Sequence, residues 1–196
     1  MPMTMGARSS PLTAGHGAAL QAGQTLTLKA SKTTRAGYFI TPEPRLDGGE
    51  VRVIASIQTG QFAPETLDRF GQTAFTRDAR GNRQGVRMAS DGEGFFTDGG
   101  LSIVSEVITE GDIQITGDGA PYVLMCECQT TGGYPRIGTV RACDVPGVAQ
   151  AGAGAALRFG FSTPVVARVA ELAARKRLKG LPGKTQPLVS DPHDID

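Results

Sequence analysis

Short stretches in which apolar and polar residues alternate recur along this chain, and glycine-rich turns separate them. Val51, Val53, Ala55 and Ile57 alternate with Arg52, Ile54 and Ser56, which predicts a strand over 51–57. Further short strands are expected at 24–28, 38–40, 74–77, 85–88, 101–105, 113–116 and 155–161, and the apolar runs Tyr122–Cys126 and Ile137–Val140 mark two more. Helical spacing is scarce. Pro64 suits a first helical position, Leu67 and Phe70 share a face and Gly71 supplies a stop, so a short helix is expected over 64–71. Thr163 as cap, Pro164 in the first turn and a stripe of Val165, Val169, Leu172 and Ala173 predict a longer helix over 164–179. With 27 glycines and turns such as Asp91-Gly92, Asp98-Gly99-Gly100, Gly111-Asp112 and Gly117-Asp118-Gly119, the pattern favours a mainly β protein, a barrel or a sandwich.

Composition narrows this picture only a little. The chain has 196 residues, 39% of them hydrophobic, enough for one domain or one and a half. Twenty basic against 19 acidic residues leave a net charge of +1, so no long-range field favours nucleic acid or an anionic membrane. Cys126, Cys128 and Cys143 make an odd count without a neighbouring histidine, which fits a reduced, cytoplasmic compartment. Cys126 and Cys128 are expected on one face of a buried strand, as small core residues rather than a metal pair. No apolar run reaches bilayer length, and the first residues lack a signal pattern. Residues 1–49 read as a trailing segment, unfinished on its own, that ends in the linker Pro42–Gly49, residues 50–180 as the barrel and 181–196 as an unstructured tail.

The inventory of reactive groups is short. His16 and His193 are the two histidines, so a self-contained Ser-His-Asp or Cys-His site is not expected, and no Walker loop, nucleophile elbow or dinucleotide fingerprint appears. Gln129-Thr130-Thr131-Gly132-Gly133-Tyr134-Pro135-Arg136 lies between two apolar runs as a polar turn. Its glycines allow a close backbone approach or positive φ, and its hydroxyls and amide can face a ligand; a tight hairpin is the other reading. Arg83, Arg87 and Arg136 flank glycines, and a guanidinium fork suits a carboxylate or a phosphorylated intermediate; an ordinary surface arginine is the alternative.

Gln129–Pro135, followed by Arg136, Thr139, Val140 and Asp144, resembles the signature of the biotin-dependent carboxyltransferase-like family. That family includes the third, or C, subunit of bacterial 5-oxoprolinase, KipA-type antagonists of a sensor-kinase inhibitor, and the carboxyltransferase region of urea amidolyase, once called allophanate hydrolase subunit 2. Gly6-Ala7-Arg8-Ser9-Ser10, Gln58 with Phe62, and Asn82-Arg83-Gln84-Gly85-Val86-Arg87 match in the same order. The similarity runs from about position 6 to 170 and corresponds to the second half of a usual member. Glu127-Cys128, Gln84 and Val86 depart from the family pattern.

The resemblance implies a cyclophilin-like β-barrel. It implies one component of an ATP-dependent 5-oxoprolinase that opens 5-oxoproline to glutamate, with partner subunits of KipI type and of LamB/YcsF type. Carboxyl transfer from carboxybiotin to urea or a similar amide, or a KipA-type binding role, is the alternative. No metal is expected, and ATP or biotin would arrive on a partner. By the same resemblance Arg83, Gln129, Thr130, Thr131 and Arg136 form the catalytic set, and Gln58, Arg87, Gly132, Gly133 and Tyr134 the substrate-binding set. Thr130, Thr131 and the Gly132 and Gly133 amides would stabilise an oxyanion while Arg83 or Arg136 holds the substrate's charged end. The 129–135 turn is expected to line one pocket together with Arg83. The substrate site is expected at the junction with a second, related barrel, which a separately encoded amino-terminal half would supply.

Overall fold

A computed structural model describes residues 20–25, 27, 38–41, 46–181 and 185–187. The chain forms two compact units, Met1–Ala36 and Gly37–Asp196. In the first, Gln21 and Gln24 close a local turn, with the Gln24 amide donating to the Gln21 carbonyl at 3.1 Å. Of the strand expected over 24–28, positions 24, 25 and 27 are described and none is in a strand. Gly6–Ser10, His16 and His193 lie outside the described residues.

In the second unit the elements run β1 (Tyr38–Ile40), β2 (Gly49–Ile54), a single 3-10 turn (Thr59–Gln61), α1 (Pro64–Gln72), β3 (Phe75–Gly81), β4 (Gly85–Ala89), β5 (Glu106–Val107), β6 (Asp112–Ile115), β7 (Pro121–Leu124), β8 (Thr131–Gly132), β9 (Arg136–Val140), α2 (Val145–Gln150), β10 (Ala156–Ser162), α3 (Pro164–Gly180) and β11 (Thr185–Pro187). Seven strands close into a barrel in the order β10-β2-β9-β6-β7-β4-β3, so the expected mainly β barrel is the fold. Its one parallel contact is β10 beside β2, and every other neighbouring pair is antiparallel.

Alternation along the strands decides what fills the barrel. Val51, Val53, Phe75, Val86, Met88, Ile113, Ile115, Val123, Ile137, Leu157 and Phe159 converge in one core. At one end Phe70 of α1 packs against Phe75, Phe95 and Phe159 with ring centroids 5.2, 5.4 and 5.4 Å apart. Truncating any of these buried rings to alanine would cost about 3–5 kcal/mol.

Several expectations are corrected. Gln129–Arg136 is not a hairpin turn, because β6 lies between β7 and β9 and pairs with both. The segment instead crosses over β6, and inside it β8 pairs with β5 as a separate two-stranded ribbon. The strand expected at 101–105 is replaced by β5, one residue further on. Strand β7 ends at Leu124, so Cys126 is exposed and Cys128 half-buried in the turn beyond it, not core residues on a strand face. Helix α2 adds to the two helices expected. In α3 the small side chains Ala167, Ala170 and Ala174 face the protein, and the apolar stripe Val165, Val169 and Leu172 faces solvent. Within the expected tail, β11 pairs with β1.

Candidate functional site

Four neighbouring strands place four polar side chains in a row. Arg87 of β4 stands opposite Tyr122 of β7, Tyr122 opposite Gln114 of β6, and Gln114 opposite Arg136 of β9. Because their sequence neighbours Val86, Val123, Ile113 and Ile137 point into the core, this row points outward. The β5–β8 ribbon and the crossing segment cover its middle, so Gln114 and Asp112 are buried although they lie outside the barrel.

Arg136 is the anchor of this layer. Its backbone N–H and Nε both donate to Gln58 Oε1, at 2.8 and 3.2 Å. Nη1 donates to the Val107 carbonyl at 3.1 Å and to Asp112 Oδ2 at 3.2 Å, and Nη2 to Glu106 Oε2 at 2.9 Å. Four of the five guanidinium N–H groups are thereby used within the protein. Gln58, only 2% exposed, completes the ring by donating its Nε2 to Glu106 Oε2 at 2.7 Å. Asp112, also 2% exposed, accepts from Thr139 Oγ1 at 2.6 Å and from the Thr109 amide at 3.0 Å. The Gln58–Arg136 pair therefore fixes β5, and with it the ribbon, against β9.

A cavity of about 280 Å³ lies under the crossing segment. From the barrel come Gln84, Gln114 and Tyr122, and from the segment Gln129, Gly132, Gly133 and Tyr134, with Ile108, Leu124, Thr116 and Cys128 between them; no lining side chain is a carboxylate, ammonium or guanidinium. Gln114 Nε2 donates to the Tyr134 carbonyl at 3.3 Å, which holds the segment over the cavity. A Cβ on Gly132 would stand 2.5 Å from Gln114 Nε2 and 3.1 Å from Ile108 Cδ1, so glycine is needed here for close approach and not for positive φ. Burial pushes the Cys128 thiol up, with the Asp112 charge adding to it, so the thiol stays protonated beside this cavity.

The family model for the carboxyltransferase domain, subdomain A and B, matches residues 1–161. The chain belongs to this family. It is 29% identical over 144 residues to the C subunit of 5-oxoprolinase from Haemophilus influenzae, covering 74% of this chain and 45% of that protein. It is 29% identical over 163 residues to the C subunit of 5-oxoprolinase from Escherichia coli, covering 81% of this chain and 52% of that protein. The chain thus spans about half the length of the curated relatives it matches. The crystal structure of K. lactis urea amidolyase shares the fold at 20% identity and a TM-score of 0.60, covering 74% of this chain and 10% of that one.

Against the site expected from the carboxyltransferase family, the structure divides the residues. Gln129, Gly132, Gly133 and Tyr134 line the cavity. Thr130 and Thr131 are exposed on the ribbon and do not line it. Gln58 and Arg136 lie in the buried polar ring beneath. Arg83 does not share this cavity, which corrects the pairing expected for it: its Nη2 lies 2.8 Å from Glu127 Oε1, and it borders a different cavity with Arg77. Its sequence neighbour Gln84, in the same bend between β3 and β4, lines the 129–134 cavity instead. Arg87 borders a third, smaller cavity and is held by Asp118 and, at 3.6 Å, by Asp78. The Thr116 hydroxyl and then Arg87 hold the Asp118 carboxyl down to about 2. Gln114 and Tyr122 escaped the sequence reading; the alternation of Asp112-Ile113-Gln114-Ile115 was the available signal, since it leaves two polar groups on one buried face.

Among the described residues no cluster of His, Cys, Asp and Glu could hold a metal ion, and no helix is long and apolar enough to cross a membrane.

Proposed function

We propose that the cavity under Gln129–Tyr134 binds the amide group of a lactam, and that the chain serves as the carboxy-terminal barrel of a protein of the 5-oxoprolinase C-subunit type, opening 5-oxoproline to glutamate. One observation carries this reading: the cavity is lined by three carboxamides, Gln84, Gln114 and Gln129, and by no charged side chain. A lactam presents one N–H donor and one C=O acceptor, and a carboxamide answers both. Hydrolysis breaks the lactam C–N bond, with water oxygen joining the carbonyl carbon and its protons divided between the new carboxyl and amine. The Gly132 and Gly133 backbone borders the cavity where an oxyanion would form. Thr130 and Thr131 take no part, while Arg136 and Gln58 act by positioning the segment.

In this reading ATP is handled by partner subunits, of KipI type and LamB/YcsF type. The region of the relatives that this chain does not span supplies the rest of the site, including the cation for the substrate carboxylate, since sites often lie between domains. Positioning of reactants is worth about 7–11 kcal/mol of barrier, so a half-built site should be silent. The test combines this chain with the partner subunits, ATP and 5-oxoproline, with and without a separate amino-terminal half, and measures glutamate. Glutamate release should require the half and should fall at least about tenfold for Gln114→Leu. Full release by the Gln114→Leu protein would overturn the assignment.

A second reading rests on the family itself: the same amide-binding cavity could present urea or a similar amide to carboxybiotin carried by a partner. Loss of carboxybiotin from a charged carrier protein, dependent on added urea, distinguishes it from lactam opening.

A further inference from the structure

The barrel contains one arginine whose register directs it inward. Phe75 of β3 is a core residue, and Arg77 lies two positions along the same strand, so both point to the same side. Arg77 stands opposite Met88, which is fully buried in the core. A bulge between Arg77 and Gly81 then bends β3 at the rim of the barrel. Here a cavity of about 300 Å³ opens, bordered by Arg77, Arg83, Glu110, Val86, Met125 and Ala149. It shares no lining residue with the cavity under Gln129–Tyr134.

Arg77 is poorly compensated. Its Nε is buried and has no hydrogen-bond partner among the described residues, and Arg77 forms no ion pair among them. Gly81 keeps space for the guanidinium, since a Cβ there would lie 3.3 Å from Arg77 Nη2. A buried N–H without an acceptor costs free energy that a bound acceptor would recover. Arg83 offers a second guanidinium; it is 71% exposed, and its ion pair with Glu127 is of the surface kind that contributes little.

We propose that this mouth of the barrel is a binding site for a small monocarboxylate carrying a short apolar chain, with Arg77 holding the carboxylate. Charge selects the class. Arg83 is already paired with Glu127, so among the described residues Arg77 is the one guanidinium of the lining without an ion pair, which suits a monoanion better than a phosphate dianion. Val86, Met125 and Ala149 supply the apolar wall for the chain. Barrel mouths are frequent ligand sites, and this volume lies at the small end of their range. The proposal is independent of the lactam reading, because the two cavities are separate.

Pentanoate, pentanamide and inorganic phosphate are the probes, titrated into the full chain carrying ¹³C-methyl-labelled methionine. Pentanoate should shift the Met125 methyl saturably, and pentanamide and phosphate should bind at least about tenfold more weakly. Arg77→Gln should weaken pentanoate by about ten- to a hundredfold, and Arg77→Lys less. If Arg77→Gln does not fold, the wild-type Met125 shift and the pentanoate-to-pentanamide ratio decide the matter alone. Equal binding of pentanamide, tighter binding of phosphate, or no saturable shift at Met125 would each overturn the proposal.

Discussion

Gln58 and Arg136 are 78 positions apart, yet a single carboxamide oxygen of Gln58 accepts both the backbone N–H and the Nε–H of Arg136. This contact joins the turn after β2 to the first residue of β9, and the rest of the guanidinium then binds Asp112 and Glu106. The arginine expected to touch substrate instead holds the frame on which the crossing segment rests.

Arg136→Met should therefore act first on stability. Asp112 would remain buried with only Thr139 and the Thr109 amide as partners. An uncompensated buried carboxylate costs about 3–5 kcal/mol, measured as a fall in urea-unfolding free energy. Glu106→Gln, at a half-exposed position, should cost less than about 1 kcal/mol. Equal small losses for both would mean that the ring is not buried in solution.

Gly132→Ala separates folding from binding. The new methyl meets the end of the Gln114 side chain, which can swing away, so stability should fall by only about 1 kcal/mol. Moving Gln114 breaks its bond to the Tyr134 carbonyl and shrinks the cavity. Glutamate formation in the reconstituted mixture should drop far more than the melting temperature does. A variant with unchanged turnover would show that the cavity is not the reaction site.

Acid should weaken the fold through the Arg87 cluster. The Thr116 hydroxyl, with Arg87, holds Asp118 at about 2 against an ordinary value of 3.8, and Arg80 holds Asp78 lower still. Depressed carboxylates stabilise the folded state above their unfolded value, and that contribution disappears as pH falls through the folded one. Between about pH 4 and 2, Asp118→Asn should flatten the dependence of unfolding free energy on pH. An unchanged slope would mean that Asp118 titrates normally.

Alkylation should rank the thiols. Cys126 is exposed, whereas burial pushes the Cys128 and Cys143 thiols up and lowers their thiolate fraction at neutral pH. Mass spectrometry after brief iodoacetamide treatment should find Cys126 modified first. Earlier labelling of Cys128 would mean that the segment over the cavity opens readily.

Local chemistry was legible wherever neighbours along the chain decide the outcome. Alternation located β2, β6 and β10, Pro64 opened α1, and Thr163 caps α3 by accepting from the Val166 amide at 3.3 Å. Helix α2 was missed because six residues containing Pro146 and Gly147 carry no helical period, and burial of Val145 and Val148 sustains it. In α3 the 3.6-residue period marks the larger side chains as the buried face, but the helix turns its small face, Ala167, Ala170 and Ala174, to the protein.

Within the candidate site, the sequence by itself determined the residue types and the sides they face: Gln129, Gly132, Gly133 and Tyr134 in one polar segment, and Gln114 beside Asp112 by the two-residue period of a strand. Tertiary structure alone decided which of them meet. Placing β6 between β7 and β9 converted an apparent hairpin turn into a cover, put Gln84 under it and sent Arg83 to the barrel mouth with Arg77. Strand order depends on contacts between residues far apart in the chain, and alternation, which is local, carries no information about which strand lies alongside.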